Sequence, residues 1–283
     1  MLDIVLITTY NRPDYLRLCL EYLTRAEGIS DKEIWICVDR GRTLVREIYE
    51  VLNDFKQLHI STRFQNQHDY RGNSMNTLQS YKEAYQTNAE FVYLIEDDVL
   101  ITNDFFKWHE AVQGCGDFFC SVAYRCLRNT KTFIGCTDPE AYFTTARDYA
   151  SIGVCWRREK LGPVIEHAVP EYYQDLEAYV TKHFKFNRFN TSFAEQDGLI
   201  MRIMGVTNGV TVWPYVPRCY HIGFAGYNRP RGPRLTTEEL RETIHNSEKV
   251  AAADRDFHDI EPVPTSPVPD WTPRNLHKLQ HFE

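Results

Sequence analysis

The stretch FVYLIEDDVLITNDFF, residues 91–106, decides the reading of this chain. Phe91 to Ile95 is a continuous apolar run of β-forming residues, the pattern of a parallel-sheet strand covered on both faces. Glu96, Asp97 and Asp98 follow it without a spacer. Ligands of open α/β sheets bind just beyond the carboxyl ends of such strands. Three adjacent acids repel one another, and a hard divalent cation, Mg2+ or Mn2+, bridging to a phosphate would relieve that repulsion. The alternative is a solvated acidic turn.

Around this stretch the chain has an ordinary globular composition. It has 283 residues, 43% hydrophobic and 13% aromatic, enough to bury one large core. A net charge of −7 argues against wholesale non-specific binding to nucleic acid or to an anionic membrane. The first residues lead straight into a strand, Asp3 to Thr8, and no apolar run approaches the roughly 20 residues that a bilayer needs. A cytosolic protein without signal peptide is therefore expected. The eight cysteines lie mostly in apolar segments and form no Cys-x-x-Cys pair, so buried free thiols are expected in place of zinc ligands or disulfides.

Outward from the acidic strand, the first half alternates strands and helices. After Asp3 to Thr8 and the breaker Asn11-Arg12-Pro13 comes an amphipathic helix from Asp14 to Arg25, with Leu16, Leu20 and Leu23 on one side. Glu33 to Val38 is a second strand, closed by Asp39-Arg40-Gly41, and Thr43 to Lys56 a second helix. A short strand at His59 to Thr62 and a helix from Ser74 to Ala89 lead to the acidic strand. This β-α-β-α-β-α-β order predicts a mainly parallel α/β sheet with right-handed crossovers.

Four segments in this order carry a resemblance: LITTYNRPDYLRLCLEYL (6–23), CVDRG (37–41), RGNSMNTLQSYKEAY (71–85) and YLIEDDVLITNDFF (93–106). Together they resemble the nucleotide-sugar glycosyltransferases of the GT-A fold, both the inverting family-two enzymes and the N-acetylglucosaminyltransferase that begins complex N-glycan branching. The resemblance implies a GT-A, Rossmann-like domain with a nucleotide-sugar-binding half (1–110) and an acceptor-side, catalytic half (111–235). A C-terminal helix and Pro-rich tail (236–283) would follow. It also implies an inverting, metal-dependent hexosyl- or pentosyltransferase that uses a UDP-sugar.

Site residues follow from the same segments. Thr8, Thr9, Tyr10, Asn11 and Arg12 form the nucleotide loop at the first strand's end, where small hydroxyls meet a base or ribose and Tyr10 can lie against the base. Asp39 can accept from a uracil N–H or a ribose hydroxyl, or can simply be a turn residue. Arg71 and Gly72 open the helix that carries Asn76; a guanidinium there suits a base edge or phosphate, and a glycine allows close backbone approach. Asp98 is expected to ligate the metal directly, with Asp97 assisting through water or ribose and Glu96 nearer the sugar hydroxyls.

In the second half, ASIGVCWRRE (150–159) resembles the strand with a glycine, Gly153, that lines the sugar pocket, although a core strand fits equally. Tyr172 to Phe193 has apolar residues at helical spacing and is expected to pack in the core. SFAEQDGLIMRIM (192–204) resembles the helix entry that supplies the catalytic base, which implies Asp197 in that role. Gln196 stands where an acid is usual, so Glu195 is a rival, and Asp197 could instead cap a helix Gly198 to Met204. His221, after a strand Val210 to Tyr215, matches the late histidine that completes the metal shell, and Gly223 and Gly226 suit a mobile flap.

Thr236 to Asp256 reads as a capped surface helix, and residues 261–273 are Pro-rich with Trp271 as an anchor. The alternative function is a nucleotide-sugar-binding or nucleotidyl-transferring protein of similar sheet. TTYNRP (8–13) is not the glycine-rich phosphate loop a nucleotidyltransferase needs. The acceptor hydroxyl could belong to a glycan, a protein, a small molecule or a modified base in DNA. The cluster Arg229-Pro230-Arg231-Gly232-Pro233-Arg234 keeps an anionic acceptor open.

Overall fold

The structure, a computed structural model, describes residues 2–39, 45–64, 72–124, 138, 140–146, 148–184, 194–223, 235–245 and 277–278. In chain order the elements are β1 (Asp3–Thr9), α1 (Pro13–Leu23), β2 (Lys32–Val38), α2 (Val45–Asn53), β3 (Ile60–Phe64), α3 (Asn73–Tyr85) and β4 (Phe91–Glu96). Then come β5 (Val99–Ile101), α4 (Phe105–Gln113), β6 (Cys120–Val122), β7 (Ala141–Thr145) and β8 (Val154–Arg157). The remainder are α5 (Gly162–Ile165), α6 (Pro170–Gln174), α7 (Leu176–His183), α8 (Gln196–Val206), β9 (Thr211–Pro214), β10 (Cys219–His221), α9 (Thr237–His245) and β11 (His277–Lys278).

Among the described residues, nine strands form one sheet in the order β11-β7-β9-β6-β8-β4-β1-β2-β3. β1 pairs in parallel with β2 and β4, and β2 with β3, as the alternation of strands and helices requires. β8 runs antiparallel to both β4 and β6, so the second half adds reversed strands to a mainly parallel sheet. One hydrophobic cluster runs from Ile4 to Cys219, because the central strands are buried on both faces.

Two local features position the site. The first is the exit from β4: the chain leaves the large sheet through a turn at Asp97-Asp98 and enters a separate two-stranded ribbon in which β5 pairs antiparallel with β10. The second is the anchor behind that turn. Phe105 and Phe106 at the start of α4 are fully buried, Phe106 edge-on to Tyr93. Burial of such a ring contributes about 2 to 3 kcal/mol. Asp104, ahead of them, pairs with the fully buried Arg218 at 2.7 Å, which ties α4 to the residue before β10.

α1 starts with Pro13 in its first turn and buries two faces. Leu16, Cys19, Leu20 and Leu23 pack on the sheet, while Tyr15 and Leu18 meet Leu100, Ile222, Leu240 and Ile244. The latter contacts dock α9, whose Thr236 and Glu239 form a reciprocal capping box. The described part of the predicted surface helix thus also backs the β5–β10 ribbon. Residues 246–276, with Trp271 and the Pro-rich segment, lie outside the described residues. So do Arg71, Cys126, Cys136, Gly226 and the 229–234 cluster. The six described cysteines are free, and all but Cys115 are buried.

Candidate active site at the carboxyl ends of the central strands

The parallel register aligns Thr8 with Cys37 and with Glu96, so β1, β2 and β4 end at one level. Asp39 follows β2 there, buried, its N–H donating to the Thr9 carbonyl at 2.9 Å. Tyr10 continues from β1 and is half-buried. Asn76 lies under this edge: its Nδ2 donates to the Cys37 carbonyl at 2.8 Å, which fixes α3 to the end of β2. Asn76 is buried, with its Oδ1 left without a hydrogen-bond partner. Gly72 precedes α3 with φ 83°, a conformation glycine adopts without strain.

The three acids divide their partners. Asp97 is fully buried; Thr9 Oγ1 donates to its Oδ2 at 2.7 Å and Arg12 to its Oδ1. Each of its two oxygens thus has one protein donor. Asp98, 4% exposed, receives Arg12 Nη1 on Oδ2 at 2.6 Å, and His221 Nε2 lies 3.4 Å from the same oxygen. Asp98 Oδ1 is buried without a hydrogen-bond partner. Glu96 accepts from Asn73 Nδ2 at 3.1 Å.

Glu96, Asp98 and His221 each offer one ligand atom, and these atoms all lie within 4.8 Å of one another. The ribbon creates that proximity: His221 faces Val99 across it, and the Ile222 N–H donates to the Asp98 carbonyl at 2.8 Å. Glu96 thus sits closer to a ligand role than the sequence reading placed it. Gly223 closes the corner. A Cβ there would come within 2.6 Å of Asp98 Oδ2 and 2.8 Å of the His221 ring, so glycine here makes room for the cluster. Two carboxylates and an imidazole with an orphaned buried oxygen form a donor set that fits Mn2+ or Mg2+.

Electrostatics follows the partners. Burial opposes the Asp98 charge, but Arg12 and His221 outweigh it and hold the group well below the usual carboxylate range. Burial, with repulsion from Asp98 and Asp197, pushes Glu96 up to about 7. Asp97 is raised to about 6 by burial despite Arg12.

Asp197 lies in the first turn of α8, and Glu195 holds the N-cap position with no side-chain capping bond. The capping alternative for Asp197 is thereby excluded. Ser151 lies beside its carboxylate and favours the charged form, and its Oδ1 is buried without a partner. Burial raises its pKa to about 6, Ser151 restraining the rise. Glu195 is exposed. Gln196 locks the helix start to α3: Ser74 Oγ donates to Gln196 Oε1 at 2.7 Å, and the Gln196 N–H donates back to Ser74 Oγ at 3.1 Å.

Ser151 and Ser74 were not singled out from sequence, and the pairing of Ser74 with Gln196 has no local pattern that marks it. Gly153 has φ 61°, and a Cβ there would meet Cys219 Sγ at 2.7 Å and Phe105 at 3.2 Å. The space beside its Cα is filled by these side chains.

No family model matches the chain, and no curated protein matches it in sequence. Solved structures do match. Residues 1–349 of S. aureus TarS, in complex with UDP-GlcNAc, superpose with a TM-score of 0.50 at 14% identity, over 93% of this chain and 68% of that one. The fold is that of the GT-A glycosyltransferases. The galactosyltransferase LgtC, with donor and acceptor sugar analogs, gives 0.45 at 12% identity over 71% of this chain and 70% of its own. The mannosyltransferase PcManGT from Pyrobaculum calidifontis, with GDP-Man and Mn2+, gives 0.43 at 14% identity. The match covers 57% of this chain and only 46% of the mannosyltransferase. At these identities the likeness concerns the fold alone. Among the described residues, no helix is long and apolar enough to cross a membrane.

Proposed function

We propose that this protein is a metal-dependent, inverting glycosyltransferase that moves a sugar from a UDP-sugar to an acceptor hydroxyl. The observation that carries the reading is the Glu96–Asp98–His221 cluster with its orphaned Asp98 oxygen, set where a GT-A sheet ends. Glu96, Asp98 and His221 would hold Mn2+ or Mg2+, which when bound offsets the negative charge on a departing diphosphate. Tyr10 and Asp39 are assigned to the base and ribose, with Thr8 and Asn11 beside them.

Asp197 is assigned as general base. As the acceptor oxygen attacks the anomeric carbon, Asp197 takes the hydroxyl proton, the new glycosidic C–O bond forms, and the old C–O bond to phosphate breaks with its electron pair leaving on the diphosphate. A carboxylate raised to about 6 is ionised at neutral pH yet basic enough to accept that proton. Ser151 would orient it, and the Ser74–Gln196 lock would keep α8 in register with the donor side. Glu195, exposed at the helix entry, is left an orienting role.

The test is hydrolysis of a panel of nucleotide sugars with Mn2+, followed by mass spectrometry of candidate acceptors, DNA with modified bases included. Expected are release of UDP and a product with inverted anomeric configuration by NMR. Release of pyrophosphate in place of UDP would establish a nucleotidyltransferase, and a retained anomer would defeat the single displacement.

A further inference from the structure

The acid cluster already contains a cation. Arg12 lies in a fork, one nitrogen 2.6 Å from Asp98 Oδ2 and the other on Asp97 Oδ1, its guanidinium 5.2 Å from the Tyr15 ring centroid. Pro13 directly follows it as the first residue of α1, which restricts the backbone from which the side chain springs. The oxygen that Arg12 holds is the one His221 approaches at 3.4 Å, so the arginine occupies one face of the Glu96–Asp98–His221 set and leaves Asp98 Oδ1 unpartnered. A guanidinium this close repels an arriving divalent ion and withholds one carboxylate oxygen from it.

The same side chain is 28% exposed, whereas Asp97 is completely buried and keeps Thr9 as its other partner. An arginine fork binds phosphate oxygens as readily as carboxylates. When a diphosphate takes the Arg12 N–H groups, the repulsion at Asp98 falls and its oxygen becomes free for a metal ion. We propose that Arg12 is the resident counter-cation of this cluster and couples the loading of a divalent cation to the arrival of the donor diphosphate. The inference rests on the metal-dependent reading above. Its content is separate: cation and nucleotide strengthen each other's binding through one arginine, by equal factors in both directions.

The experiment is a titration of the full chain with Mn2+, read by electron paramagnetic resonance of the free ion, with and without UDP. Wild type should bind Mn2+ weakly alone and at least about tenfold more tightly with UDP. Arg12→Met should bind Mn2+ alone about ten- to a hundredfold more tightly than wild type, and gain less from UDP. Arg12→Lys, which keeps a charge but loses the fork, should fall between them. It carries the test should the methionine variant fail to fold.

Thermal melts supply an independent readout: Mn2+ alone should raise the Tm of either variant more than that of wild type. Equal or weaker Mn2+ affinity in both variants, or an undiminished gain from UDP, would overturn the coupling while leaving the metal site intact. Binding that survives in Asp98→Asn would instead remove the metal site itself, and the coupling with it.

Discussion

At the amino-terminal ends of β1 and β2, Lys32 Nζ reaches Asp3 at 2.9 Å and Glu110 at 2.7 Å, and the Tyr93 hydroxyl adds a bond to Glu110 at 3.2 Å. At the opposite edge of the sheet, Glu96 at the end of β4 and the Asp97 and Asp98 that follow it lie around one arginine and one histidine. The first network balances its charge within one unit, and one of its acids faces water. Burial alone would lower the Lys32 pKa, and hydrogen bonds from Lys32 to Glu110 and Asp3 reverse it. The second network carries surplus negative charge and an unpartnered buried oxygen. A buried polar group without a partner costs about 1 to 3 kcal/mol, so a fold retains one where a ligand completes it. One end of the sheet closes its charges for stability; the other leaves them open.

Four substitutions can break or sharpen this contrast. The largest effect is expected from Asp197→Asn at the open end: turnover should fall about a hundred- to ten-thousandfold while UDP affinity is kept. In wild type, kcat/KM should decline as pH drops through about 6, because burial raises the Asp197 pKa to that value and only the ionised form accepts a proton. Normal turnover in Asp197→Asn with a dead Glu195→Gln would move the base to Glu195.

Next, Asp98→Asn should weaken Mn2+-dependent UDP binding by about a hundredfold or more in calorimetry, beyond the usual cost of losing a residue that merely supports a metal ligand. Unchanged affinity would make the open end a surface ion-pair network like any other.

Lys32→Met at the closed end should do the reverse, lowering stability to urea by about 2 kcal/mol with UDP affinity untouched. Breaking a fully buried pair costs more, but Glu110 is partly solvated and recovers water. Loss of UDP binding in this variant would show that the two ends are coupled.

The smallest effect is expected from Glu96→Gln, and it has the opposite sign: about 1 kcal/mol of added stability at pH 8 without metal. Glu96 is raised from its usual 4.5 to about 7 by burial and by repulsion from Asp98 and Asp197. Folded protein then holds a proton that unfolded protein has lost, so its stabilising contribution is present below about 4.5 and fades as pH rises through about 7. In the variant, urea stability should fall less steeply over that window. Asp97, also raised, keeps part of the slope. A destabilised Glu96→Gln would mean that this carboxylate is held by partners and is not surplus.

Much of the first half of the chain was legible because its information is local. The apolar run Phe91 to Ile95 is central-strand composition, and the acids at its end follow by adjacency alone. Pro13, with leucines at helical spacing after it, marks α1, which the structure begins at Pro13 itself. Adjacency has a limit. It could not show that the turn sends Asp97 inward to Thr9 and Arg12 and leaves Glu96 with Asp98 and His221. Gly153 packs against Cys219 and Phe105, and Asn76 holds the end of β2 through the Cys37 carbonyl, contacts that no motif position records.

The sequence by itself determined the order of elements, the buried strand with acids at its end, and the residue types able to bind a cation or take a proton. Only the tertiary structure decided which of them meet. His221 reaches Asp98, 123 positions upstream, because β10 pairs with β5, and Ser151, ahead of β8, comes beside Asp197 at the start of α8. Gln196 reaches Ser74, 122 residues away, through a pair of hydrogen bonds. Such contacts are set by strand register and helix docking, which depend on the packing of the whole core, and a residue's neighbours in sequence carry no record of them.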